Sequence, residues 1–182
     1  MGGKPRLKRR SGCPVSISLE IFGDRWSLLI IRDLMVRGFR TFKDFESSGE
    51  GIATNILADR LHKLQAAGII SEEVEKEDRR RVNYRLSEKG IDLAPVLLDL
   101  LIWGSRHGEA DAPCAIIEEM ATHREQLLAQ VRRRWEQRDL TPLFPWLSGS
   151  SAGAVRPRAK KKNLNRKQRQ ALTEGRGEDV RT

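Results

Sequence analysis

A chain of 182 residues, 38% apolar and 32% charged, has room for one globular domain with extensions, and its two cysteines are too few for a disulfide scaffold. The most apolar window, residues 28–36, contains Arg32 and Asp33 and is too short to span a bilayer. The basic start of the chain lacks the uninterrupted apolar run of a signal peptide. We therefore expect a cytoplasmic protein without a membrane partner.

The net charge of +9 is distributed unevenly along the chain. Residues 1–12 carry five Lys or Arg and no acid, residues 148–182 carry a net +7, and residues 13–147 therefore carry a net −3. Both ends lack an apolar period, which predicts a disordered basic arm and a disordered basic tail. The tails would attract polyanions diffusely, whereas in the slightly acidic body any such attraction must be local.

Three short helices are predicted before residue 50. Pro14 favours the first position of a helix that ends near residue 22. Asp24 is placed to cap a second helix from about residue 25 to 37. Thr41 is followed three residues later by Asp44, a variant of the capping box that predicts a third helix reaching residue 45 or 47.

Residues 51–81 are the stretch around which the other elements are arranged. Leu57, Leu61 and Leu64 recur at i, i+4 and i+7, which predicts an amphipathic helix over residues 53–67. The opposite side of this helix is small and polar. Such a surface is suited to the major groove of a DNA duplex.

A β-hairpin is predicted directly after this helix. A strand near residues 69–76, a charged tip within residues 76–82 and a return strand at residues 82–86 make up the hairpin. Apolar and polar residues alternate in the return strand, which predicts one buried face and leaves Arg85 on the other. An Arg-tipped hairpin beside a polar helix suits the backbone or minor groove of DNA.

Two further helices are predicted after the hairpin. Ser87 caps the first, which reaches about residue 105 and contains Pro95, a residue that kinks a helix or removes one of its hydrogen bonds. The second runs from about residue 114 to 138, and its apolar stripe needs a partner. We assign this stripe to a homodimer contact, and packing against the same chain is the alternative. The stripe consists of Ile117, Met120, Leu127, Val131 and Trp135.

The order of three helices followed by a hairpin is typical of a winged helix-turn-helix. The predicted fold is mainly α with a small β-hairpin wing, followed by C-terminal dimerisation helices. The predicted organisation is a disordered basic arm at 1–12, a winged helix-turn-helix DNA-binding domain at 13–105, a dimerisation helix and apolar tag at 106–147, and a disordered basic tail at 148–182.

Several motifs follow one another in an order that matches a known family. Cys-Pro-Val at residues 13–15 precedes Leu-Glu-Ile-Phe-Gly-Asp-Arg-Trp at 19–26, and Arg-Val-Asn-Tyr-Arg-Leu-Ser-Glu-Lys-Gly at 81–90 precedes Ala-Pro-Val at 94–96. Together they resemble the HxlR family of bacterial winged-helix transcription regulators, over roughly residues 13–105. The resemblance implies a homodimeric repressor or activator that binds a palindromic operator, with terminal helices that make the dimer.

Two positions depart from the family pattern. Ala53 stands where a Ser often caps the recognition helix, so the cap must come from Thr54, the backbone or water. Gly49 occupies a turn position where many members carry an apolar residue, which predicts a looser turn.

The predicted DNA contacts concentrate at the start of the recognition helix. Thr54 and Asn55 lie in its first turn, where free N–H groups attract phosphate, and Asn pairs bidentately with adenine. His62 and Lys63 are expected on the DNA backbone, while Arg60 has an internal ion pair as an equal alternative. The full predicted set is Thr41, Lys43, Thr54, Asn55, Ala58, Arg60, His62, Lys63, Arg79, Arg80 and Arg81.

The charges around this surface are mixed. Asp59 points the same way as the predicted contacts and would repel phosphate. Arg79 and Arg80 form a run that elsewhere is usually a solvated surface, but here they lie at a hairpin tip where a wing contacts DNA. Arg81 is nearer the strand and has a structural alternative.

Cys13 is a candidate redox-sensing residue. A helix N-terminus and a basic arm both lower the pKa of a thiol, and several members of the family it resembles sense oxidants or electrophiles through a Cys at this place. The alternatives are a small buried hydrophobe and, less favoured, the nucleophile of a thiol enzyme, which would need a nearby His or second Cys.

The sequence contains no recognisable catalytic constellation, phosphate loop or metal-ligand spacing. We therefore expect no enzyme activity, no cofactor and no metal, and we expect double-stranded DNA and a second copy of the chain as partners. An effector, either a small molecule or an oxidant, is left open. The alternative function is a winged-helix protein-interaction or architectural module whose basic tails bind polyanions without specificity.

Overall fold

The computed structural model describes residues 11–74, 82–108 and 114–144. All of them belong to the first of the two units into which the chain divides, Met1–Ser150, and the second unit, Ser151–Thr182, lies outside the described residues. Outside them as well are the hairpin tip with Arg79, Arg80 and Arg81, and nearly all of the predicted basic arm.

The described part of the chain is mainly α-helical and contains one antiparallel hairpin, so the predicted fold class and the winged-helix order are confirmed. The second helix continues into a π-helical turn at Asp33–Arg37. The elements are α1 Pro14–Phe22, α2 Arg25–Arg32, α3 Phe42–Glu46, α4 Thr54–Ala66, β1 Ile70–Val74, β2 Val82–Leu86, α5 Glu88–Ile91, α6 Ala94–His107, α7 Cys114–Thr122 and α8 Arg124–Glu136.

Local capping signals set several of these boundaries as predicted. The Asp24 carboxylate accepts hydrogen bonds from two backbone N–H groups of α2, each at 3.0 Å. Thr41 and Asp44 form a complete capping box at the start of α3. The Ser87 hydroxyl accepts a hydrogen bond from a backbone N–H of α5 at 3.1 Å. Each cap satisfies donors that a helix start otherwise leaves unpaired.

One apolar core joins the helices to the hairpin. The three leucines predicted for the inner face of α4, Leu57, Leu61 and Leu64, are buried in it together with Phe45 of α3. The hairpin is tied to the segment before α3, because the Tyr84 backbone N–H donates to the carbonyl oxygen of Arg40 at 2.7 Å. The position of α4 is therefore set by α3 on one side and by the hairpin on the other.

The two helices predicted after the hairpin are each divided in the structure, and both corrections have a local cause. Pro95 lies in the first turn of α6, where its missing N–H costs no hydrogen bond, so the chain starts a new helix there instead of kinking one. The last predicted helix breaks at His123. The Thr122 hydroxyl donates to the Glu118 carbonyl oxygen at 2.8 Å, and the His123 Nδ1 lies 3.1 Å from the Glu119 carbonyl oxygen. These side chains therefore compete for the last carbonyl groups of α7.

The apolar stripe assigned to a homodimer contact packs against the same chain, so the structure corrects that assignment in favour of its alternative. Ile117 and Met120 are 1% and 7% exposed and form a second core cluster with Leu98 of α6. Val131 is buried in the main core, and Leu127 is half-buried beside the second cluster. The stripe covers the winged domain itself because the break at residue 123 lets α7 and α8 fold back separately.

Trp135, the last residue of the stripe, fastens α8 to the hairpin. Its indole Nε1 donates to the Leu86 carbonyl at 2.8 Å, and the guanidinium groups of Arg85 and Arg132 lie 4.9 and 5.0 Å from the ring centroid. Arg85 also donates to the Trp135 carbonyl oxygen at 2.7 Å. The Arg85 side chain is consequently only 16% exposed, so α8 covers the face of β2 that was predicted to be solvated.

The intrachain role of Trp135 predicts how stability responds to its removal. Trp135→Ala is expected to lower the free energy of unfolding by about 3 kcal/mol, because a large aromatic contact and a partly buried hydrogen bond are lost. Denaturant unfolding at several protein concentrations measures this loss. It should not depend on protein concentration, and a loss that shrinks as the protein is concentrated would place Trp135 in an intermolecular contact instead.

Candidate nucleic-acid interface

The exposed face of α4 begins with a small, uncharged surface. Thr54, Asn55 and Ala58 are all exposed on this face, as predicted. The residue before them, Ala53, is the N-cap residue and contributes no side-chain hydrogen bond, and the first turn contains no acidic residue. Backbone N–H groups at such a helix start attract anions, because nothing neutralises the positive end of the helix dipole.

The charged residues of α4 are paired with opposite charges of the same chain. The Lys63 ammonium lies 2.9 Å from the Asp59 carboxylate, and its hydrogen bond lowers the pKa of Asp59. The Arg60 Nε lies 3.3 Å from the Asp24 carboxylate, so the internal ion pair predicted as the alternative to a DNA contact is present. His62 is exposed without such a partner among the contacts described. The repulsive charge of Asp59 is thus balanced before any phosphate approaches.

The helix and turn before α4 supply fewer predicted contacts. Thr41 is half-buried and its hydroxyl accepts the α3 capping hydrogen bond, whereas Lys43 is exposed. In the turn, Gly49 and Gly51 adopt φ values of 84° and 73°, a left-handed conformation that favours glycine. Gly49 therefore shapes this turn through its backbone conformation, and an apolar side chain there would be strained.

The predicted wing contacts, Arg79, Arg80 and Arg81, lie outside the described residues and remain predictions. The strands that carry them are described, and they pair in register with Val74 opposite Val82. The two ends of the tip segment are therefore held next to each other.

A buried ionic cluster, which the sequence analysis did not anticipate, connects α2 to the turn before α4. We define the Asp33 cluster as Arg32, Asp33, Arg37 and Glu50. Asp33 and Arg37 are 2% and 7% exposed, and the Arg37 Nη1 lies 3.2 Å from the Asp33 Oδ1. The Arg32 Nε donates to the same oxygen at 2.9 Å. Burial raises the pKa of Asp33, and the charges and hydrogen bonds of the two arginines act in the opposite direction.

The Asp33 cluster holds the turn through two further contacts. The Arg37 Nη2 donates to the Ser48 carbonyl oxygen at 3.3 Å, and the Arg32 Nη1 donates to the Glu50 carboxylate at 3.0 Å. The turn leads directly into α4, so the position of the exposed first turn depends on this cluster. The available signal in the sequence was Asp33 and Arg37, separated by three apolar residues within the most apolar part of the chain.

The remaining predicted site is Cys13, which is exposed and precedes the first residue of α1. The alternative of a buried hydrophobe is therefore wrong, and oxidant sensing by this thiol stays a prediction.

In the described ranges, no three His, Cys, Asp or Glu side chains are grouped so that they could hold a metal ion. None of the helices described has the length and apolar character needed to cross a bilayer.

An α3–turn–α4 unit followed by a two-stranded hairpin defines a winged helix-turn-helix protein. Residues 21–112 match the HxlR-like helix-turn-helix family, and the chain belongs to this family of transcriptional regulators. Its relatives are named as transcriptional regulators, not as enzymes.

Individual relatives are identical to this chain at about a third of the aligned positions. The uncharacterized HTH-type transcriptional regulator YdeP of Bacillus subtilis is 33% identical over 96 residues, which are 53% of this chain and 74% of YdeP. The uncharacterized HTH-type transcriptional regulator Rv3095 of Mycobacterium tuberculosis is 34% identical over 99 residues, which are 54% of this chain and 61% of Rv3095. The crystal structure of PA1607 superposes with a TM-score of 0.52 at 37% identity, covering 58% of this chain and 72% of PA1607.

The Asp33 cluster predicts a stability difference between single and paired substitutions. Asp33→Asn is expected to lower the free energy of unfolding by about 3–5 kcal/mol, because it leaves Arg37 buried without its counter-charge. Chemical denaturation measures the change. The paired variant Asp33→Leu with Arg37→Met removes both charges of the pair and should recover most of this loss, because Arg32 keeps Glu50 as its acidic partner. If the pair is as unstable as the single variant, packing and not charge accounts for the loss.

Proposed function

We propose that this chain is a sequence-specific, double-stranded DNA-binding transcriptional regulator that acts as a homodimer. In the proposed complex α4 lies in the major groove and the hairpin wing contacts the backbone or minor groove. The observation that carries the proposal is the exposed, uncharged and uncapped first turn of α4, at Thr54 and Asn55, which the Asp33 cluster holds in place.

The electrostatics of the proposed complex are local. Free N–H groups at the start of α4 and the exposed Lys43 would bind phosphate, while Asn55 reads a base edge. The wing residues Arg79 and Arg80 would add phosphate contacts. Because residues 13–147 carry a net −3, attraction over longer distances would come from the basic ends of the chain.

We assign the proposed dimer contact to exposed apolar faces of α6 and α1, because the stripe of α7 and α8 packs against its own chain. On α6, Val96, Leu100 and Trp103 recur at i, i+4 and i+7 and are 40%, 47% and 64% exposed. On α1, Val15 and Leu19 are separated by one turn and are 66% and 58% exposed. Exposed large apolar side chains grouped on one face are typical of a contact with another protein. A two-fold contact would present α4 twice, as a palindromic operator requires.

The alternative function, a winged-helix protein-interaction or architectural module, is favoured by one observation. The charges of α4 are already paired within the chain, Asp59 with Lys63 and Arg60 with Asp24. A helix face without free positive charge is less suited to DNA than the typical basic one. Selection of bound duplexes from a random pool, with the full chain, separates the two functions because the alternative yields no preferred sequence.

The base contact of Asn55 predicts a loss of specificity. Asn55→Ala is expected to weaken binding to a selected operator by about 1–3 kcal/mol while leaving binding to random DNA nearly unchanged. Fluorescence anisotropy with both duplexes measures the two affinities. Gln65→Ala is the matched control, since it lies ten residues further along α4, about 15 Å from Asn55 along the helix axis. Equal losses on both duplexes would rule out a base contact.

The apolar face of α6 predicts which substitution dissociates the homodimer. Trp103→Glu places a charge in the proposed contact and should shift the chain to monomers at micromolar concentration, as measured by sedimentation equilibrium. Val74→Glu is the control, because Val74 is a similarly exposed apolar residue, 56% exposed, at the end of β1. If Trp103→Glu leaves the dimer intact, the contact is elsewhere.

A further inference from the structure

A cavity of about 550 Å³ lies between α2, α6 and α8. Its walls are leucines and other apolar side chains, among them Leu28 of α2, Leu97 of α6 and Leu128 of α8. Its volume falls in the range of about 300–1,000 Å³ that is typical of small-molecule sites. Of the proposed dimer face on α6, Leu100 also lines this cavity, whereas Val96 and Trp103 do not.

Three charged residues line the cavity, namely Arg25, Arg32 and Glu50, so its lining carries one excess positive charge. The Arg32 Nη1 donates to the Glu50 carboxylate at 3.0 Å, and the Arg25 Nη2 lies 3.9 Å from it. The other side of the Arg32 guanidinium is held by Asp33, whose Oδ1 lies 2.7 Å from Nη2 and 2.9 Å from Nε. Among the described residues of the cavity wall, Arg25 is therefore the guanidinium with free donors, because its side chain is 65% exposed and lies beyond hydrogen-bond distance of Glu50.

We propose that this cavity binds a small organic carboxylate whose apolar body packs against the leucines. The carboxylate of the ligand would accept hydrogen bonds from Arg32 and Arg25 in place of Glu50. An apolar pocket with a few convergent charged groups fixes both the size class and the orientation of such a ligand. Arginine suits this role because its planar donors pair with a carboxylate in a bidentate geometry.

Ligand binding would change the turn before α4. Glu50 belongs to that turn, one residue before Gly51, and its contact with Arg32 is one of two that tie the turn to the Asp33 cluster. Displacement of Glu50 releases this contact and loosens the first turn of α4. This second step rests on the proposed function, and it makes the ligand lower the affinity for operator DNA. By linkage, operator DNA lowers the affinity for the ligand by the same factor.

The site itself is tested without DNA, by calorimetric titration of the full chain with octanoate. Two control ligands have the same alkyl chain as octanoate: octanol, which is uncharged, and octylamine, which carries a positive charge. Octanoate is expected to bind about tenfold more tightly than octanol, and octylamine more weakly still. Glu50→Ala removes the competing carboxylate and should tighten octanoate binding about threefold to tenfold.

Cavity filling tests the location of the bound molecule. Leu28→Trp enlarges a half-buried cavity wall and should abolish octanoate binding, whereas Leu140→Trp makes the same change at an exposed leucine outside the cavity and should not. The proposal is overturned if octanoate does not bind, which is the result expected if a second copy of the chain fills the cavity. It is also overturned if octanol binds as tightly as octanoate, or if the Leu28→Trp variant binds octanoate normally.

The coupling to DNA is measured separately, by anisotropy with a duplex selected from a random pool. Saturating octanoate should weaken operator binding by about fivefold or more. Glu50→Ala should weaken it without ligand and should respond little to octanoate. If octanoate binds without changing the affinity for operator DNA, the coupling is refuted and the proposed binding site still stands. A chain that binds no duplex refutes the proposed function, while the calorimetric result still decides the site.

Discussion

The buried ion pair between Asp33 and Arg37 is the interaction on which the arrangement of the winged domain depends. Two opposite charges in an apolar interior must stay together, because separating either from its partner costs several kcal/mol. Both residues belong to the π-helical turn that continues α2, where the Arg37 Nη1 lies 3.2 Å from the Asp33 Oδ1. From there Arg37 reaches the Ser48 carbonyl and Arg32 reaches Glu50, so the turn before α4 is positioned from the core.

The hairpin is held from the opposite direction by α8. Trp135 bonds to the backbone of β2, while Arg132 spans the exposed acids Glu88 and Asp92 at 3.0 and 3.1 Å. The exposed ion pairs add little by themselves, and the aromatic packing of Trp135 contributes most of this contact. Because α7 and α8 cover the domain that precedes them, they are part of its core. The apolar faces proposed for a second copy of the chain are therefore those of α1 and α6.

These two sets of contacts meet around the cavity. Its walls come from α2, which carries the Asp33 cluster, and from α6 and α8, which follow the hairpin. A group that enters there contacts both the helix that supports the turn before α4 and the helices beside the proposed dimer face. Glu50 connects the cavity directly to that turn through Arg32. In the proposed site, a small molecule would be coupled to α4 through the winged domain itself.

The sequence by itself determined the elements whose causes are local. The caps at Asp24, Thr41 and Ser87 depend on residues two or three positions apart, and the leucines of α4 depend on helical periodicity. Only the tertiary structure decided what the stripe of α7 and α8 packs against, since periodicity shows that a face is apolar but not which surface covers it. The partner of Arg85 is Trp135, fifty residues away, and the Asp33 cluster forms only when α2 and the turn before α4 meet. The burial that gives such contacts their energy exists only in the folded chain.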